Sequence, residues 1–153
     1  MEKLKEIIAF IVENYPHKHE LSNARLTKLV YLSDWYHAIH HKQQISEIDW
    51  YFDNYGPFVW DVYKTVENDS DFNVKLTLNM FGNEKKLISL KKGYEPKISN
   101  DAKETIETII TKTKSLNWND FISLVYSTYP ILTSEKYSHI NLVEKAKERE
   151  NKK

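Results

Sequence analysis

The chain has 153 residues, a formal net charge of zero and no cysteine. That length suits one domain around one core, and the charge balance removes any global pull toward nucleic acid or an acidic membrane. The lack of cysteine excludes disulfides, thiolate catalysis and thiolate zinc sites, and three glycines are too few for the glycine-rich phosphate loops.

Glu2 to Asn14 is expected to be the first helix, because Leu4, Ile7, Ile8 and Ile11 follow helical spacing. It lacks the basic start and small-residue cleavage site of a secretory leader, and no apolar run reaches the ~20 residues that cross a bilayer. A soluble, cytoplasmic protein is expected. Pro16 ends this helix, and Pro16 to Leu21 is a short connection.

Asn23 to Lys42 follows, with Ser22 as its N-cap. Leu26, Leu29, Leu32 and Tyr36 fall near one face, and Val30, Tyr31, Trp35, Ala38 and Ile39 extend the apolar surface around most of the circumference. A helix apolar nearly all round is a buried one, so this stretch is expected to be the central helix of the domain.

Ile45 to Phe52 suits a short strand or extended segment, since Ile48, Trp50 and Phe52 alternate with Asp49 and Tyr51. Gly56-Pro57 breaks the chain, and Pro57 is expected at the first position of a helix running to Glu67. Val74, Leu76, Leu78 and Met80 alternate with polar residues, and Leu87 to Leu90 follows a turn at Gly82-Asn83, which predicts an antiparallel hairpin. Helices are then expected behind a Ser99 cap to about Lys114, from Trp118 to Thr128 behind an Asn117 cap, and from Asn141 to Glu150. Pro130 is expected to stop the second of these, Ile131 to Ser138 to be irregular, and 146–153 to fray. The expected fold is mainly α: a single compact helical domain over 1–153, with its core in about 5–145, a small antiparallel β-hairpin and a buried central helix.

No catalytic motif is visible. Asp34, His37 and His41 can share a helix face with metal-binding spacing, but no strong fourth ligand accompanies them, so a polar helix edge is the preferred reading. Asp49, Asp53 and Asp61 show no spacing that assigns nucleophile or base, and are read as solvated carboxylates. No enzyme activity, cofactor or metal is expected.

Charge is more informative. Glu47 to Asp71 holds seven acids against the single base Lys64, while Lys75 to Lys97 holds six lysines against Glu84 and Glu95. The acidic stretch also carries seven aromatics within the fourteen residues Trp50 to Tyr63, too many to bury completely. Aromatic anchors rimmed by carboxylates suit a protein partner. Trp50, Asp53, Tyr55, Trp60 and Asp61 are therefore the candidate contact residues. The lysines are better explained as protection of a strand edge than as a phosphate-binding surface, which disfavours nucleic acid as a partner.

Leu26-Thr27-Lys28-Leu29-Val30-Tyr31-Leu32 with Trp35-Tyr36, then Tyr55-Gly56-Pro57-Phe58-Val59 with Val62-Tyr63, then Tyr126-Ser127-Thr128-Tyr129-Pro130 form an ordered set. In this order and spacing the chain resembles the Panacea domain, the SocA-like antitoxin family, over roughly residues 5 to 145. The resemblance marks Lys28, Leu29, Tyr31, Gly56 and Pro57 as motif positions. It implies a mainly helical domain of bacteria, their phages and prophages. The implied role is an antitoxin of a toxin–antitoxin system, which neutralises a cognate toxin by binding it. The alternatives are an adaptor that delivers a partner to a Clp protease and a nucleic-acid-binding regulator.

Overall fold

The structure is a computed structural model, and it describes residues 1–152. Among them are seven helices and five strands. Helix α1 is Leu4–Asn14, α2 Asn23–His41, α3 Asp61–Glu67, α4 Asn100–Thr113, α5 Trp118–Tyr126, α6 Tyr129–Leu132 and α7 Leu142–Asn151. Strand β1 is Trp50–Asp53, β2 Gly56–Pro57, β3 Phe72–Leu78, β4 Glu84–Leu90 and β5 His139–Ile140. The fold is mainly α with small antiparallel sheets.

Helix α2 starts where the Ser22 hydroxyl accepts from the Arg25 N–H at 3.1 Å, and stops where Lys42 turns left-handed at φ 59°. Leu26, Leu29, Val30, Tyr31, Leu32, Trp35 and Ala38 are buried, and so are the polar residues Arg25, Thr27, Lys28, Ser33, Asp34 and His37. Helices α1, α3, α4 and α7 and strand β4 all pack against it. Truncating such a residue, for instance Leu29→Ala, costs about 2–5 kcal/mol in lost transfer energy and cavity.

The buried polar groups are mostly answered. Arg25 donates to the Tyr15 hydroxyl at 2.9 Å and stacks 4.6 Å from the Phe121 ring. Tyr31 shares a 2.9 Å hydrogen bond with Thr128, and His37 Nδ1 pairs with Thr105 Oγ1 at 2.7 Å. Asp34 is fully buried and accepts from the backbone N–H of Ile45 at 3.0 Å and of Ser46 at 2.9 Å, from the Ser46 hydroxyl, and from Trp50 Nε1 at 2.8 Å. Burial pushes its carboxyl pKa up, against the pull of the donors on Ser46, Trp50 and Ile45. The segment joining α2 to β1 is thereby wrapped around one side chain of α2.

Strand β1 lies between β2 and β5, with Phe52 opposite Pro57 and Trp50 opposite Ile140. Here the structure corrects the sequence reading. Pro57 does not open a helix; Gly56–Pro57 is a strand, Phe58 N–H continues the ladder to Tyr51 O at 2.9 Å, and α3 begins at Asp61. Pro57 needs no ladder hydrogen bond from its own nitrogen at this sheet edge. A second correction concerns Ile131 to Ser138. Its start belongs to α6, with Pro130 inside that helix's first turn, and β5 follows at His139.

The predicted hairpin is present, from Phe72 opposite Leu90 to Leu78 opposite Glu84. Its base is anchored by buried Phe72 and Ile88 and by Ile88 N–H donating to Leu21 O at 3.0 Å. Beyond that point Leu76, Leu78, Met80 and Phe81 are exposed.

Asp34→Ala leaves several buried donors without an acceptor, so urea unfolding should show a loss on the order of 3–5 kcal/mol. A loss below about 1 kcal/mol would mean that the 44–50 segment is held by other contacts. His37 is held down to about 4, chiefly by burial and then by the charge of His41. Between about 4 and its ordinary value of 6.5 the unfolded chain binds the proton and the folded chain does not. This contribution to stability is therefore complete above 6.5 and is lost as pH falls toward 4. The stability difference between the native chain and His37→Gln should shrink over that window in pH-dependent urea melts.

Candidate functional site

Segments distant in sequence meet at one cleft of about 440 Å³, a volume in the range of ligand pockets. Helix α2 contributes Ala24 and Lys28 from its first turns. The β1–β2 turn contributes Asp53, Asn54 and Tyr55, with Phe58 just beyond it. Helix α5 contributes Trp118, Ile122 and Tyr126, one turn apart along a single face.

The β1–β2 turn reaches α5 with Gly56 at φ +101°, a backbone conformation that L side chains rarely adopt. A Cβ built there would lie 3.5 Å from the Tyr126 ring, and the same ring meets Phe52 edge-on with centroids 6.4 Å apart. Asn54 N–H donates to Asp53 Oδ1 at 2.8 Å, and the Tyr137 hydroxyl donates to Asn54 Oδ1 at 2.5 Å.

Lys28 is the unusual group. Its side chain lines the cleft although the residue is only 3% exposed, and no described residue accepts a hydrogen bond from it or pairs with it as a salt bridge. Burial pulls its pKa down to about 8, and the charge of Asp53 across the cleft opposes that shift. The Tyr126 hydroxyl likewise has no hydrogen-bond partner among the described residues, and burial pushes its pKa up.

The expected contact residues divide. Asp53 and Tyr55 line the cleft, and Tyr55 is 81% exposed. Trp60 is 57% exposed and stands edge-on to Phe58 at 5.1 Å, so it continues the aromatic wall outward, with exposed Asp61 beside it at the start of α3. Trp50 is in a different place. It is 0% exposed, bonded to Asp34 and edge-on to Tyr31 at 5.4 Å. It supports the β1–β2 turn from below and has no surface to offer a partner. Of the motif positions, Leu29 and Tyr31 are core, Gly56 and Pro57 shape the turn, and Lys28 reaches the cleft.

Trp118 and Ile122 were not among the candidate contacts. Their place at the start of an Asn117-capped amphipathic helix was the available signal, and its amphipathic pattern did not say what the outer face would meet. Of the three residues with metal-type spacing, Asp34 is committed to its four donor groups on the 45–50 segment, while His37 and His41 stack at 4.1 Å. Among the described residues no group of three or more His, Asp or Glu side chains is placed to hold a metal ion, and no helix is long and apolar enough to cross a membrane.

The family model for Antitoxin SocA-like, Panacea domain, matches residues 26–130. The chain belongs to the SocA-like Panacea family. No curated protein and no solved structure matches it. The Panacea match takes in Lys28, the β1–β2 turn and all of α5, so nearly every wall of the cleft lies within the family's span.

Gly56→Ala would place an L side chain at φ +101°, which should cost about 1–2 kcal/mol in urea unfolding. Amide shifts in a 15N correlation spectrum should spread from the β1–β2 turn to the neighbours of Tyr126. Shifts confined to residues 55–57 would show that the turn and α5 are not packed as described.

Proposed function

We propose that this Panacea-family chain is a cytoplasmic antitoxin that binds a cognate toxin protein directly and neutralises it, acting without catalysis. The contact surface is the cleft and its rim: Asp53, Tyr55, Trp60 and Asp61, joined by Trp118 of α5. The observation that carries the reading is the membership of the antitoxin family together with exposed aromatics around an open cleft. Aromatic side chains held rigidly beside a desolvated pocket are the usual anchors of protein interfaces. The acidic residues at the rim suit a basic patch on the toxin and would speed encounter more than they would strengthen the complex.

The lysine-bearing hairpin supports a nucleic-acid reading poorly. Lys85 is turned onto His19 O at 3.0 Å and Lys86 onto the Tyr63 ring at 4.4 Å, while the outward residues near the tip are apolar.

Co-expression with the product of the adjacent open reading frame should relieve its growth arrest, with toxin levels unchanged. A protease-dependent fall in toxin would instead identify a Clp-type adaptor. Tyr55→Ala combined with Trp60→Ala should weaken toxin binding by at least ~30-fold, a loss of about 2 kcal/mol, without lowering the melting temperature. Unchanged affinity would remove this face from the interface.

A further inference from the structure

The cleft contains an ammonium group that no described residue hydrogen-bonds or pairs as a salt bridge. Lys28 is buried along most of its length and opens onto the cleft, and none of the described residues accepts a hydrogen bond from it. Burying a charge in this way is costly unless an oxygen answers it. Half-buried Tyr126, whose hydroxyl has no hydrogen-bond partner among the described residues, lines the same cleft. Phe58, Trp118 and Ile122 give the cleft an apolar and aromatic wall, and Asp53 and Asn54 of the β1–β2 turn are its other polar residues.

We propose that the cleft receives a carboxylate of the toxin, held by Lys28 Nζ and the Tyr126 hydroxyl, with the adjoining apolar side chain of the toxin against Phe58, Trp118 and Ile122. One ammonium matches one negative charge. Asp53 on the opposite wall disfavours a dianion such as a phosphate ester, whose second charge would have no cation to meet. Aromatic walls beside a single charge-assisted contact fit a peptide segment better than a free ion, because the walls provide the area and the ammonium fixes the orientation. A chain terminus and an acidic side chain present the same chemistry. The proposal rests on reading the partner as a toxin protein.

The test uses short peptides, so that it does not depend on the toxin. Acetyl-Ala-Phe with a free terminal carboxylate, acetyl-Phe-Asp-amide and the neutral acetyl-Ala-Phe-amide are titrated into the full chain, with phenyl phosphate as the dianion. The readout is the NMR signal of the Lys28 ε-methylene and of the residues around Tyr126. At least one carboxylate peptide should bind at least ~10-fold more tightly than the neutral amide, and the tighter of the two tells terminus from side chain. Equal binding of the neutral amide, or tighter binding of phenyl phosphate, overturns the proposal.

Lys28→Met should abolish the difference between charged and neutral peptides. It should leave the melting temperature unchanged or higher, because it removes a charge from a largely buried side chain that has no acceptor among the described residues. A lowered melting temperature would assign Lys28 a structural role and overturn the proposal. Toxin binding separates the two readings. If the carboxylate peptides bind but the native chain does not neutralise the neighbouring gene product, the antitoxin reading fails and the cleft chemistry stands. If Lys28→Met neutralises as well as the native chain, the cleft proposal fails and the antitoxin reading stands.

Discussion

The carboxylate of Asp34 lies beyond the reach of bulk water, so its solvation has to come from the protein. The backbone and side chain of Ser46, the backbone of Ile45 and the indole of Trp50 supply it. Each of these donors lies after the end of α2, and each would be left unpaired in the interior if the segment moved away. The network therefore acts as a clamp with a steep cost of opening, because its members are satisfied together or orphaned together.

The position of the cleft follows from this clamp. Trp50 is both a donor to Asp34 and the first residue of β1, so the clamp places β1 against α2. Strand β1 then carries β2 by pairing, and the positive φ of Gly56 lets the β1–β2 turn approach Tyr126 on α5. The opposite wall is α2 itself, whose buried Asp34 sets the clamp and whose Lys28 faces the cleft. The same helix thus packs against α1, α3, α4, α7 and β4 and also presents Lys28 to the cleft. A site built on a helix, a short sheet and a second helix is held more rigidly than one built on loops, as suits the capture of a partner with little rearrangement.

Local signals in the sequence were read accurately where the determining physics is local. Ser22, Ser99 and Asn117 each accept a hydrogen bond from the backbone of the helix they cap, and the alternation around Val74 and Leu76 forms the hairpin. Readings failed where a distant partner decides. Pro57 is compatible with a helix start or with an edge strand, and its pairing with Phe52 selects the strand. Seven crowded aromatics said that some must be exposed, but only packing shows that Trp50 is interior and Tyr55 is not. Asp34 was grouped with His37 and His41 by helical spacing, whereas its binding partners lie ten or more residues later. The α5 wall of the cleft was only partly visible, through Tyr126 at the start of the third motif segment.

The most direct test of this account is amide hydrogen exchange of the chain alone and in complex with its toxin. Slowed exchange on binding is predicted for residues 51–60 and for α5, the two sides of the cleft opposite Lys28. Protection confined to the 72–90 hairpin, with exchange around the cleft unchanged, would contradict the account and move the interface onto the hairpin.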